Sequence, residues 1–187
     1  MRPSLRQGPP TEPERESALE NPERVTATRY PRPPYSDARH TRTPSMLTAF
    51  AYSSFAAPGL VDEELRSIVS QSATFNRIAG VTGAMLVDGT RFFQYIEGPS
   101  DGLEAVVRRI EQSRSHRLMS PLLDAPIAQR AVPYWAMTRL DTGQTVVSGL
   151  INAGWDEFGQ RSVAHSPGME LLCSVLRPHF PVANASD

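Results

Sequence analysis

The chain contains no lysine, so all 19 of its strongly basic side chains are arginine. That pattern reflects base composition rather than a binding task. There is one cysteine, Cys173, which excludes an internal disulfide and a cysteine-cluster metal site. Net charge is almost absent as well: 20 acidic residues leave −1, with an isoelectric point near 6.4. This excludes the basic footprint of a nucleic-acid or anionic-membrane binder. No apolar run approaches the roughly 20 residues that span a bilayer, and the N-terminus lacks the apolar core of a secretory signal. A reducing, cytoplasmic setting is the expectation. Asn184-Ala185-Ser186 fits a glycosylation sequon but carries no meaning without secretion.

What is present falls into three segments. Residues 1–45 are rich in Pro, Arg, Glu, Thr and Ser, with few apolar residues and no period. Such a stretch cannot bury enough surface to offset its chain entropy and reads as a disordered tail. Met46 follows it directly, opens the first apolar run and is itself a candidate start. Residues 46–140 read as the folded core. "LTAFAYSS" (47–54) is a strand, and Pro58-Gly59 a turn. Asp62 is placed to cap a helix reaching about Ile78, with Leu65, Ile68, Val69 and Ser72 on one face. "VTGAMLVDGTRFFQYIEG" (81–98) is a hairpin around Asp88-Gly89. Ser100 is placed to cap a second helix, on which Leu103, Val106, Val107 and Ile110 share a face. Strands follow at 117–127 and 134–140. The order β-α-β-β-α-β-β predicts an α+β fold, a ferredoxin-like sandwich with both helices on one face of the sheet. Residues 141–187 carry two weaker helix signals, about 143–152 and 168–177, read as C-terminal helices.

One residue breaks the pattern. Gln94 sits inside "RFFQYIEGP" (91–99), a run otherwise made of strand formers. A buried amide must find partners or cost about 1–3 kcal/mol. Strand parity groups Phe92, Gln94 and Ile96 on one face, and Phe93, Tyr95 and Glu97 on the other. In the first strand Phe50, Tyr52 and Ser54 share a face; in the last, Trp135 and Met137 do. Asn76 lies seven residues after Val69, on the apolar stripe of the first helix. Each has a plain structural reading by itself. A strand Tyr packs with its hydroxyl at the rim, Gln94 can face solvent, and Asn76 can end its helix. Trp135 can be core, and His116, after the second helix, can cap it. Taken together, Tyr52, Asn76, Gln94 and Trp135 converge under the two helices, and a polar cluster in an apolar cavity is the usual form of a small-molecule site.

At these residues the chain resembles a known family. "FAYSS", "FNRIAGVTGAMLVDGTRFFQYIEGP" and "YWAM" are similar to the BLUF domain, a blue-light sensor using flavin, over about residues 46–140. The resemblance implies the roles that follow. Tyr52 donates an electron and a proton to the excited flavin. Gln94 is the amide between that tyrosine and the ring. Asn76 hydrogen-bonds the ring carbonyl and imide, while Ile68 and Ile110 sandwich it. Arg114 and His116 lie near the flavin tail, and Trp135 and Met137 relay the signal from the last strand. The implied cofactor is FAD, with FMN possible because the pocket grips the shared ring. Phe75 and Ser115 depart from residues that contact flavin in some members.

An amide can reverse its donor and acceptor ends or change tautomer, so Gln94 answers as a hydrogen-bond switch. The implied function is a photoreceptor with no enzyme domain of its own, acting through an unknown downstream protein or as a homo-oligomer. Phe93 and Tyr95 offer a dimer patch on the outer sheet face unless the C-terminal helices cover it. The alternatives are a BLUF-like interaction module with weak or no flavin binding, a base-stacking sheet, and an acylphosphatase-type enzyme. The base-stacking sheet lacks a basic surface. For the enzyme, "SSFAAPG" lacks an anion-loop arginine.

Overall fold

A computed structural model describes residues 46–155 and 166–181; the expected tail at 1–45 lies outside the described residues. The chain runs through β1 (Leu47–Ala56), α1 (Asp62–Ala79), β2 (Thr82–Val87), β3 (Arg91–Pro99) and α2 (Ser100–Glu111). It continues through β4 (His116–Pro126), β5 (Thr138–Asp141), α3 (Gln144–Asn152) and α4 (Pro167–Leu176). The sheet order is β4-β1-β3-β2-β5. All pairings are antiparallel except β2 with β5. β3 is central: each face carries mainly apolar or aromatic residues, with Gln94 on one and Glu97 on the other, and every residue from Phe92 to Gly98 is buried. The α+β order predicted for 46–140 is the one observed.

The β2–β3 hairpin turns where Asp88-Gly89 predicts it. Asp88 Oδ1 accepts from Arg91 N at 2.8 Å and Thr90 N at 3.2 Å, and Gly89 takes φ 95°. The helix starts differ by one residue from expectation. Asp62 and Ser100 are the first residues of α1 and α2 rather than their caps. Val61 N instead donates to Glu64 Oε2 at 3.1 Å, while Asp62 is drawn into ion pairs with Arg66 and Arg139, both 2.6 Å. Carboxylates there still complement the helix dipole without capping it.

Two layers of helix clothe the sheet. On the inner face, α1 and α2 pack Leu65, Leu103 and Val106 onto Phe50, Met85, Phe92 and Ile96. The helices touch where Gly102 lies against the Ala79 carbonyl; a Cβ there would stand 2.1 Å from that oxygen. On the outer face, α3 and α4 pack Val147, Leu150, Met169, Leu172 and Leu176 onto Ala49, Ala51, Ala84, Phe93 and Tyr95. The small alanines leave room for this second layer. Trp155 stacks on Phe93 with ring centroids 5.3 Å apart and donates Nε1–H to the Leu150 carbonyl at 2.8 Å. Phe93 and Tyr95 are 0% exposed. The C-terminal helices therefore cover the aromatic pair, which is neither a dimer patch nor a base-stacking platform.

The last strand corrects a second expectation. β5 begins at Thr138, so Trp135 and Met137 precede it, and they do not share a face. Met137 joins the inner cluster, whereas Trp135 packs against the outer one. The period of two fails because successive carbonyls are claimed from different directions: Trp135 O accepts from Gly83 N at 2.9 Å, and Ala136 O accepts from the Asn76 side chain at 2.8 Å. Among the described residues no helix is long and apolar enough to cross a membrane.

Candidate functional site

Tyr52 and Gln94 are direct cross-strand partners in the β1–β3 ladder, and Met85 flanks Gln94 from β2. Opposite residues of an antiparallel pair project side by side from one face. The Tyr52 hydroxyl donates to Gln94 Oε1 at 2.6 Å, and Gln94 Nε2 approaches Met137 Sδ at 3.7 Å. Both side chains are almost wholly buried, at 2% and 3% exposure. Burial pushes the Tyr52 phenol well above its ordinary pKa, so it holds its proton at rest. The question posed by Gln94 thus has a geometric answer: the amide is buried, and each of its ends has a partner.

Asn76 comes from the last turn of α1, where Gly80 takes φ 69° and Val81 N returns to the Asn76 carbonyl at 2.8 Å. Its Nδ2 holds Ala136 O, and its Oδ1 has no partner among the described residues. His116, the first residue of β4, reaches back with Nε2 to the Ile110 carbonyl at 3.0 Å. A carbonyl only accepts, so that nitrogen carries the proton and Nδ1 is left as an acceptor. Nδ1 is buried and has no partner among the described residues. Burial holds the imidazole below its ordinary pKa, opposed by the Ile110 carbonyl. His116 is both the helix cap and a cleft residue, its ring 5.8 Å from that of Tyr52.

These groups line a cleft of about 330 Å³ between α1 and α2 above the sheet. Ile68 and Ile110, half-buried on opposite helices, form its aliphatic sides, with Leu65 and Val106 deeper. Arg114 is not brought into it. It lines an adjoining, more open recess of about 490 Å³, which shares Ile68 and Ser115 with the cleft. Trp135 also stays outside, against Tyr134 and Phe180. Arg109 was missed by the sequence reading. It lines the cleft with its guanidinium 5.0 Å from the Phe75 ring centroid, and its position one residue before Ile110 was the available signal. Among the described residues no group of His, Cys, Asp and Glu could hold a metal.

The arrangement suits a flat, polar-edged ring. Its sides are aliphatic, and its floor carries a proton-holding phenol and an amide. Two unspent acceptors, Asn76 Oδ1 and His116 Nδ1, await N–H or O–H donors. A flavin ring and tail have this chemistry, so the residues fit the group that the sequence implies.

Comparison with known proteins agrees. A family model described as BLUF, sensors of blue-light using FAD, matches residues 47–138. A photoactivated adenylate cyclase subunit beta of Euglena longa is 30% identical over 95 residues, which cover 50% of this chain and 11% of that protein. The dark-state structure of BlrB, a BLUF protein, superposes with a TM-score of 0.56 at 23% identity, covering 72% of this chain and 100% of that one. A calcium and cyclic-diGMP complex of Klebsiella pneumoniae BlrP1 superposes with a TM-score of 0.53 at 25% identity, covering 72% and 34%. The chain thus spans 11% of the length of the curated relative it matches.

Proposed function

From the premise that residues 47–138 of this chain are a BLUF domain, a flavin-binding blue-light sensing module, we propose that Tyr52, Gln94 and Met137 form its photochemical switch. A bound flavin supplies the visible absorption and an excited state that accepts an electron. The observation that carries the reading is the hydrogen-bonded series Tyr52–Gln94–Met137, of which Tyr52 and Gln94 line the cleft. Tyr52 would pass an electron to the flavin and its phenolic proton toward the same ring by way of Gln94, and would regain both at once, so that only the changed setting of Gln94 outlasts the excitation. Gln94 lies on the proton's route and records its passage. A thioether sulfur accepts and never donates, so Met137 favours the amide NH2 end. Reversal of Gln94 would leave an acceptor against that sulfur, and tautomerisation would leave its nitrogen one N–H fewer. The two settings of the amide are therefore unequal, as a switch that relaxes in darkness requires. In a water-poor pocket the difference is felt strongly.

Asn76 offers Oδ1 to a ring N–H while its Nδ2 holds Ala136, so one side chain joins the cofactor to the segment before β5. Ile68 and Ile110 exclude water from the ring faces. His116 Nδ1 accepts from a tail hydroxyl. FAD is the proposed flavin, supported by the family's description and by the space of the adjoining recess, which Arg114 and Glu64 both line. The domain is proposed to pass its state through the Trp135–Met137 segment and α3–α4 to a protein partner or a second copy. The cytoplasm is the proposed location.

The test is the visible spectrum of the full chain reconstituted with FAD or FMN, dark and after blue light. A flavin spectrum shifting slightly to the red and recovering in darkness is expected, with the shift absent in Tyr52→Phe. A chain that stays colourless with either flavin would leave the interaction-module reading in its place.

A further inference from the structure

Glu97 is 0% exposed and lies on the outer face of β3, away from the cleft. Both its carboxyl oxygens are spent as acceptors. Oε2 takes the Tyr95 hydroxyl at 2.8 Å and Ala131 N at 2.9 Å; Oε1 takes Val132 N at 2.7 Å. Its backbone carbonyl accepts from Arg130 Nη1 at 2.8 Å. That guanidinium also reaches Thr82 Oγ1 at 2.7 Å and Gly80 O at 2.6 Å. A buried carboxyl this fully engaged is doing one mechanical job: it fixes residues 130–132 against the end of β3.

The fixed residues open the segment that ends at the switch. Trp135 O, Ala136 O and Met137 Sδ then meet Gly83, Asn76 and Gln94 in turn. Glu97 and Gln94 are three residues apart on one strand and project from opposite faces. They hold the two ends of the same short segment. Few residues lie between the pins, so the distance from sulfur to amide is set largely by where Glu97 anchors Ala131 and Val132.

We propose that Glu97 is a positioning residue for the light switch, acting through Met137: it pins residues 131–132 from the outer face so that the Met137 sulfur stands at the amide of Gln94. The proposal rests on the flavin-switch reading above. It explains why an ionisable group is kept in an otherwise apolar layer that Gln or Leu could fill.

Glu97→Gln is the sharp variant. The amide must present its NH2 to at least one backbone N–H, because both oxygens now accept from such groups. One pin is lost while size is kept. Losing a buried hydrogen bond from the resting arrangement corresponds to a slowing of about five- to tenfold in the return to it. The experiment measures dark recovery of the light-induced shift for the full chain, Glu97→Gln, Met137→Ala and the double variant. Slowing of at least about threefold in Glu97→Gln, disappearing in the Met137→Ala background, supports the role. A smaller change, or one that persists without Met137, overturns it, since loss of stability alone would not depend on that side chain.

If Glu97→Gln fails to load flavin, amide exchange of the flavin-free proteins decides. Faster exchange at Gly83 as well as Ala131 and Val132, with the β1–β3 ladder unchanged, supports the proposal; loss confined to Ala131 and Val132 overturns it. A wild-type chain that loads flavin without any shift overturns the switch reading and this role with it. A wild type that shifts beside an unaffected Glu97→Gln overturns only the role of Glu97.

Discussion

The two faces of β3 are made from alternate residues of one nine-residue strand, yet they are finished differently. The inner face carries Phe92, Gln94 and Ile96 under a cleft, and polar groups that α1 and β4 bring to that cleft keep unused capacity: Asn76 Oδ1 and His116 Nδ1 have no partner among the described residues. The outer face carries Phe93, Tyr95 and Glu97 beneath α3 and α4, and its polar groups are spent. Tyr95 and Glu97 satisfy each other and two backbone amides. Burial raises the Tyr95 phenol pKa, with the neighbouring Glu97 adding to it. A face built for stability closes its hydrogen bonds within the chain, whereas a face built for a ligand leaves some open.

If that contrast is right, damage to one face should be functional and damage to the other energetic. The largest effect belongs to Gln94→Leu. It removes the amide that Tyr52 and Met137 share, so the light-induced red shift should vanish while flavin stays bound. The orphaned Tyr52 hydroxyl should cost about 1–3 kcal/mol. Absorption difference spectra check the first statement and denaturant unfolding the second; a normal photocycle would remove Gln94 from the switch.

Leu172→Ala probes the other face. Leu172 is 0% exposed between α4 and the sheet, and truncation there should cost about 2–5 kcal/mol of folding stability. The spectral shift of the protein that remains folded should be unaltered. Ile68→Ala at the half-buried cleft wall should invert this result. It should cost little in the flavin-free protein but weaken flavin binding about tenfold, the worth of roughly two methylene groups. Unfolding midpoints and flavin titrations of the two variants make a crossed comparison. Equal losses of stability in both would dissolve the distinction between the faces.

Much of this division was legible from the sequence, because a period of two and a period of 3.6 are enough to sort faces. Tyr52, Asn76, Gln94, Ile68, Ile110 and His116 line the cleft as parity, the helical stripe and the family resemblance place them. Trp135 escaped because parity holds only inside a strand. The chain before Thr138 is governed by side-chain and backbone donors from Asn76 and Gly83, which no local pattern announces. Glu97 was sorted to the correct face, but its partners lie 34 and 35 residues away. Arg114 follows α2 and turns to the recess, while Arg109, within α2, faces the cleft. Two arginines so close in sequence are told apart by helix geometry, not by residue type.

The smallest effect is also the most specific to the open face. His116 donates from Nε2 to Ile110 and keeps Nδ1 bare. A second proton would have to sit on that buried nitrogen, where no acceptor waits. Its pKa in the fold is accordingly depressed below 6.5, mainly by burial. Between the depressed value and 6.5 the unfolded chain binds more protons than the folded one, so stability rises with pH across that window. The contribution is complete above 6.5 and is lost as pH falls through the folded value. His116→Gln can still donate to the Ile110 carbonyl but does not titrate. The difference in unfolding free energy between wild type and this variant should be constant above pH 6.5 and decline below it. A difference that stays flat to low pH would mean that His116 takes its proton freely and that Nδ1 is not the acceptor described. Flavin binding should steepen the decline if a hydroxyl of its tail donates to Nδ1, because only the neutral imidazole can accept that bond.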